Sequence, residues 1–147
     1  MKAKEITKAL RRQFKQVPLR VENMHYRNMW EADFIYVTTA GWVHEIEVKV
    51  YRHDFVRDLQ DKRDKYMKLF YNASGLKKFF YACPAGMLEP AEIPNFAGLI
   101  YCEYGRTWIH KKATVLKDAW KCDRALTEQI KKQKSRNYIR KFEGRVL

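Results

Sequence analysis

Hydrophobic positions alternate with polar ones in several distinct rhythms along this chain. Ile6, Leu10 and Phe14 recur every fourth residue over 3–16, with Lys4, Lys8, Arg11, Arg12 and Lys15 between them. That spacing predicts an amphipathic helix with a basic outer face, stopped by Pro18. Residues 19–29 keep no clean period and read as an irregular lead-in. Residues 30–38 and 43–50 are rich in Ile, Val, Tyr, Phe and Trp, which predicts two strands. Thr39-Ala40-Gly41 between them makes a short turn. Over 52–70 the period lengthens again. Phe55, Leu59, Tyr66, Leu69 and Phe70 supply an apolar side, and the pairs Asp58/Lys62, Asp61/Lys65 and Asp64/Lys68 sit in the favourable i, i+4 order, which predicts one helix. Asn72 to Gly75 ends it, with Gly75 expected as the C-terminal cap. Residues 77–83 read as a further strand, 84–94 as a loop with a helical turn, and 97–103 with 106–112 as a last hairpin around Gly105. The tail reads as a basic helix over about 123–141, capped by Asp123 and with Leu126, Ile130 and Tyr138 roughly aligned. This order predicts an α/β fold in one domain spanning 1–147.

Charge sharpens the picture. The net charge is +13, and it lies at the two ends. The first 29 residues carry eight Lys/Arg against two acids, and residues 105–147 carry thirteen against four. A polyanion, most often nucleic acid, is the natural partner, with 21 aromatic residues able to stack on bases. A basic surface that serves only solubility is the plainer reading. The expected phosphate contacts are Lys4, Lys8, Arg11, Arg12 and Lys15 on the first helix and Lys131, Lys132, Lys134, Arg136, Arg140 and Lys141 on the last. Other classes lose ground. The longest apolar run, 96–102, is far short of a membrane span, and the first residues lack the apolar core of a secretion signal, so a cytoplasmic protein with no membrane role is expected. Three cysteines without a C-x-x-C pair and four scattered histidines argue against a disulfide framework or structural zinc. No phosphate-binding glycine loop occurs.

The chemistry-bearing segment is 31–50. Glu45, Glu47 and Lys49 alternate with Ile46, Val48 and Val50, so in a strand the three charged residues share one face. Glu47-Val48-Lys49 as a bare acid-x-Lys pattern is weak, since about two such matches are expected by chance at this composition. Register decides its meaning. A three-residue loop at 39–41, with Gly41 in the left-handed position, pairs Thr38 with Trp42 and sets Asp33 opposite Glu47. Cross-strand Cβ atoms stand about 5 Å apart, and two carboxylates at that separation repel unless a cation or proton intervenes. Asp33, Glu47, the Val48 backbone carbonyl and water make an oxygen site suited to Mg²⁺ or Mn²⁺. Lys49 could orient an attacking water, and the chemistry implied is phosphodiester hydrolysis. The alternative is a solvent-exposed strand face with ordinary cross-strand ion pairs. Spacing alone leaves both open.

Asp33, a hairpin and Glu47-Val48-Lys49, with a helix before and after, resemble the PD-(D/E)xK restriction-endonuclease-like superfamily, and most closely its MmcB-like DNA-repair branch. Ala32-Asp33-Phe34-Ile35, Glu45-Ile46-Glu47-Val48-Lys49 and Arg52-His53-Asp54-Phe55, with an acid near Asp58, carry the likeness; Ala32 stands where the family name has proline. The resemblance implies a central mixed sheet flanked by helices, divalent-metal binding by Asp33 and Glu47, and Lys49 as catalytic lysine. It implies a metal-dependent DNA nuclease in repair, recombination or phage DNA processing, in a bacterial or phage-infected cell. Some members have lost activity, so the alternative is an inactive nucleic-acid-binding module on the same fold. Many relatives form homodimers to cut two strands.

Three accessory acids have plainer readings beside the functional one. Glu5 is a first-turn acid facing the helix dipole, Glu45 an exposed neighbour of the site, and Asp54 an N-cap. Asp58 and Lys62 are explained by their own pairing, and Tyr66 by the core. A protein-binding role for Trp30, Trp42, Trp108 and Trp120 is a further rival.

Overall fold

A computed structural model describes residues 1–146, with side chains through Phe142. Six strands form one sheet in simple sequence order, and four helices flank it. Strands β1 (Leu19–Tyr26), β2 (Trp30–Val37) and β3 (Val43–Val48) are mutually antiparallel. β4 (Lys78–Pro84) and β5 (Ala97–Glu103) run parallel to β3, and β6 (Arg106–Lys111) returns antiparallel on β5. The expected mixed-sheet α/β fold is therefore present.

Helices cover both faces. α1 (Ala3–Gln13) buries Ile6, Ala9 and Leu10 against Phe34, Tyr36, Ile46, Phe80 and Ile100 on one side of the sheet. The other side carries the larger core, including Ile35, Val37, Phe79 and Tyr81. It is covered by α2 (Arg52–Asp61), α3 (Arg63–Phe70) and the first half of α4 (Arg124–Val146), through Phe55, Tyr66, Leu69, Leu126 and Ile130. Both faces of the parallel strands are thus buried, which explains their nearly unbroken apolar runs.

The β2–β3 hairpin has the expected register. Thr38 N–H donates to the Trp42 carbonyl at 2.9 Å, and Phe34 pairs with Ile46. Gly41 takes φ +90°, the left-handed conformation that the loop demands.

Four expectations need correction. Residues 19–26 are a strand rather than an irregular lead-in. Asn23 adopts φ +52° and drops out of the ladder, so the buried residues are Val21, Met24 and Tyr26. The local irregularity breaks the period-two signal that would have announced a strand. The first helix ends at Gln13, ahead of Pro18, as Phe14 leaves helical geometry and stacks on Tyr36 at 4.1 Å. The helix expected over 52–70 is two, parted at Lys62 (φ −107°, ψ 39°) without any Pro or Gly. Its end is capped by Asn72 at φ +57°, with Ala73 N–H on the Lys68 carbonyl at 2.7 Å and Asn72 N–H on the Leu69 carbonyl at 3.3 Å. Gly75 instead gives room to the Trp120 ring, with which a Cβ there would collide.

The last helix starts as expected, with Leu126 N–H donating to Asp123 Oδ1 at 2.8 Å, and it runs beyond 141 to Val146. It lies along the open edge of β1. Gln129 and Asn137 each donate at 2.8 Å to the outward carbonyls of His25 and Glu22.

Candidate active site

At its C-terminal end β3 parts from β2 and stays paired with β4. The ladder to β2 stops at Phe34↔Ile46, and the Asp33 side chain takes the next contact: its Oδ2 accepts the Val48 N–H at 2.8 Å. Val48 remains paired with Ala82, whose carbonyl accepts the Lys49 N–H at 2.8 Å. Asp33 is therefore fixed by main chain at the point where the two strands splay.

Glu45, Glu47 and Lys49 share the face that α2 and α3 cover, and His44 points to the opposite face with Tyr36 and Phe80. The three are 0%, 2% and 8% exposed, so the picture of a solvent-facing strand with rim ion pairs does not hold. Glu45 is not an exposed neighbour. Lys65 Nζ donates to its Oε2 and Trp30 Nε1–H to its Oε1, both at 2.6 Å. Lys62 Nζ donates to Glu47 Oε1 at 2.9 Å, Lys65 Nζ lies 3.6 Å from the same oxygen, and the Tyr66 hydroxyl donates to Oε2 at 3.2 Å. Lys49 is paired with Asp58 through Oδ2, which also accepts Lys62 at 3.1 Å.

These contacts set the protonation of the group. Burial works against ionisation of Glu47, but the ammoniums of Lys65, Lys49 and Lys62 outweigh it and hold its carboxyl below the usual range. Asp58 is also lowered, with burial overcome by hydrogen bonds from Lys49 and Lys62. Burial pushes Glu45 upward against the pull of Lys65. Asp33 is pushed upward as well: burial outweighs the Val48 hydrogen bond, and the Glu47 charge adds to it. Among the described residues Asp33 makes no ion pair. The buried Tyr81 hydroxyl, near Tyr66 and Glu47, has no hydrogen bond of good geometry.

The donor set fits a hard divalent cation. Asp33 is a carboxylate short of a counter-charge, its second oxygen is uncommitted, and Glu47 stands across the strand gap. Hard oxygen donors of this kind, completed by a main-chain carbonyl such as that of Val48 and by water, suit Mg²⁺ or Mn²⁺. Among the described residues no three His, Cys, Asp or Glu side chains group as a self-sufficient metal cage. Two carboxylates would leave most of such an ion's positions to water and to a bound phosphate.

Two accessory candidates fall away. Glu5 lies on α1, across the sheet from Glu47 and near Cys102. Asp54 is not the N-cap, which is Tyr51; it lies in the first turn of α2, paired with Arg57 at 2.7 Å. Asp58, Lys62 and Tyr66 do more than pair along the helix or fill the core, and Lys65 and Trp30 join them. A signal was present: 58, 62, 65 and 66 fall on one helical face. Asp61/Lys65 also fits the i, i+4 rule, which accounts for Lys65 without a partner in the sheet.

A cleft of about 650 Å³ lies beside this cluster, lined by Trp30, Glu31, Lys62, Lys65 and Lys68 among others; Asp33, Glu47 and Lys49 are not in its lining. The basic residues of the two ends are mostly exposed. Arg11, Lys134 and Lys141 meet along a groove at β1 that also holds Tyr138 and Phe34, on the α1 side of the sheet.

Neither a protein-family model nor a curated protein matches the sequence. Among solved structures, the chain is similar to the SPO1766 protein of unknown function from Silicibacter pomeroyi, with a TM-score of 0.65 and 19% identity over 97% of this chain and 90% of that one. That likeness extends over the whole sheet and its helices and speaks to the fold alone. No helix among the described residues is long and apolar enough to cross a membrane.

Proposed function

We propose that this protein is a divalent-metal-dependent DNA nuclease of restriction-endonuclease-like type. It would act in the cytoplasm of a bacterial or phage-infected cell, in DNA repair, recombination or phage DNA processing. The observation that carries the reading is Asp33: a half-buried carboxylate without an ion pair among the described residues, set beside Glu47 and Lys49 where two strands diverge. A carboxylate partly withdrawn from water in this way gains from a cation that completes it.

Asp33 and Glu47, with the Val48 carbonyl, would hold Mg²⁺ or Mn²⁺. Such an ion, when bound, polarises a phosphoryl oxygen and makes its bound water more acidic. Lys49 supplies the ammonium that orients the attacking water and offsets charge building on the phosphoryl oxygens, and Asp58 aims that ammonium. The basic residues of α1 and α4 bind DNA through its backbone, which gives affinity without sequence choice. Cutting both strands would call for a homodimer.

One observation favours the second reading, an inactive nucleic-acid-binding module. Lys49 is already engaged by Asp58, and both Glu47 oxygens are satisfied by Lys62 and Tyr66. A nuclease assay with Mg²⁺, Mn²⁺ or EDTA on single-stranded, duplex and branched DNA separates the two. The nuclease reading expects cleavage that EDTA abolishes and that Glu47→Ala and Lys49→Ala each remove, with DNA affinity largely retained. Absence of product from every substrate with either metal refutes it.

A further inference from the structure

Lys62 stands apart from the other charged groups of the cluster. Its side chain is 41% exposed, whereas those of Lys65 and Glu47 are 4% and 3% exposed. It sits at the parting of α2 and α3, lines the cleft and reaches inward to touch Glu47 Oε1 and Asp58 Oδ2 together. Lys65 has a fixed task, since it neutralises Glu45 in the core. Lys62 holds neither of its partners alone: Glu47 Oε1 also lies 3.6 Å from Lys65, and Asp58 Oδ2 also pairs with Lys49. It closes the cluster from the solvent side, on a carboxylate that a metal ion would need.

We infer that Lys62 is a displaceable latch: its ammonium occupies Glu47 in the metal-free protein, competes with the divalent ion for that carboxylate, and swings to the cleft rim when the ion binds. This rests on the metal-site reading above and adds a regulating residue to it. Charge counting supports it. The cluster holds four carboxylates (Asp33, Glu45, Glu47, Asp58) and three ammoniums (Lys49, Lys62, Lys65), a net charge of minus one. A divalent ion and a singly charged phosphodiester bring the assembly to neutrality with Lys62 still counted in it, so the ammonium is retained close by, and the rim is where it can leave Glu47 to the ion and meet the phosphate. A long, half-exposed side chain at a helix break can make that move without disturbing the packed face of α3, where Tyr66 and Leu69 are buried. Lys65, enclosed between Trp30 and Phe79, cannot.

The test is a Mn²⁺ titration followed by calorimetry and by thermal unfolding, on the full chain and on Lys62→Met, Lys62→Arg and Asp33→Asn. Removing one positive charge adjacent to the ion raises affinity by roughly tenfold or more, since two charges act at a few ångströms. Lys62→Met should therefore bind Mn²⁺ at least about tenfold more tightly than the unaltered protein, and its Tm should rise more on adding Mn²⁺. Lys62→Arg, which keeps the charge, should stay near the starting affinity. Equal Mn²⁺ affinity in the unaltered protein and Lys62→Met, with binding lost in Asp33→Asn, overturns the latch and leaves the metal site standing. Failure of all variants to bind Mn²⁺ overturns the metal site and the latch with it. Should Lys62→Met not fold, Lys62→Gln serves the same comparison.

Discussion

Removing the Lys65 ammonium isolates the most deeply buried carboxylate among the described residues. Glu45 is fully buried, and Lys65 and the Trp30 indole N–H are its partners. In Lys65→Met the side-chain volume is kept, one indole hydrogen bond remains, and the charge is lost. An uncompensated buried carboxylate costs about 3–5 kcal/mol. Protonation limits that figure. Carrying a glutamic acid from its ordinary pKa of 4.5 to neutrality at pH 7 spans about 2.5 pH units, or roughly 3.4 kcal/mol at 1.36 kcal/mol per unit. Burial already raises Glu45 in the unaltered protein, so this figure is the ceiling: the variant should lose up to about 3 kcal/mol at pH 7 and take the neutral-acid route. Its folded-state pKa then lies above the unfolded value, so the deficit grows as pH rises past 4.5 and shrinks as it falls. At pH 5 only about 0.7 kcal/mol should remain from this source. Urea unfolding at both pH values measures it, and thermal unfolding should show a fall of about 10 °C at pH 7. Glu45→Gln added to Lys65→Met should recover most of the loss. A deficit under about 1 kcal/mol at pH 7, or one unchanged at pH 5, would refute the role given to Lys65.

Asp33→Asn keeps an oxygen for the Val48 N–H but removes the unpaired charge, so stability at pH 7 should hold or rise by up to about 1 kcal/mol while Mn²⁺ binding disappears. Because burial raises the Asp33 pKa, its stabilisation is present at low pH and is lost as pH climbs through the raised value; the asparagine variant should lack that slope in urea titrations. Lys49→Ala should leave DNA affinity nearly intact in a filter-binding assay while cleavage vanishes, and retained cleavage by the pure variant would remove Lys49 from the mechanism. Replacing Lys134 and Lys141 by Glu should lower the slope of log affinity against log salt by about two, one for each phosphate no longer neutralised. Gly75→Ala should cost about 1–3 kcal/mol in urea unfolding, because a φ of +80° and the Trp120 ring both oppose a Cβ.

The hairpin was legible because its turn is chemically specific. Gly41 stands where only a left-handed residue closes the loop, and that single position fixes Asp33 near Glu47. β1 was not legible, since the left-handed Asn23 breaks the alternation by which a strand is recognised. The lysines of the site were hidden for a different reason. Asp58/Lys62 and Asp61/Lys65 satisfy a local pairing rule that needs no tertiary partner, whereas Lys65 in fact spans twenty residues to reach Glu45. A local pairing of this kind accounts for such residues without calling for a distant partner. The depth of the cluster was likewise invisible: alternation assigns a common face to Glu45, Glu47 and Lys49 but says nothing about what covers it.

Helix α4 shields the sheet's first edge through Gln129 and Asn137, and it is made after all six strands. Until it emerges, β1 offers bare main-chain acceptors beside uncovered Met24 and Tyr26, a template on which another nascent strand could add. Synthesis therefore passes through a sticky interval that ends only once α4 has been made. A stop codon near residue 123 would make that interval permanent, and the expected product is insoluble aggregate rather than a weaker protein.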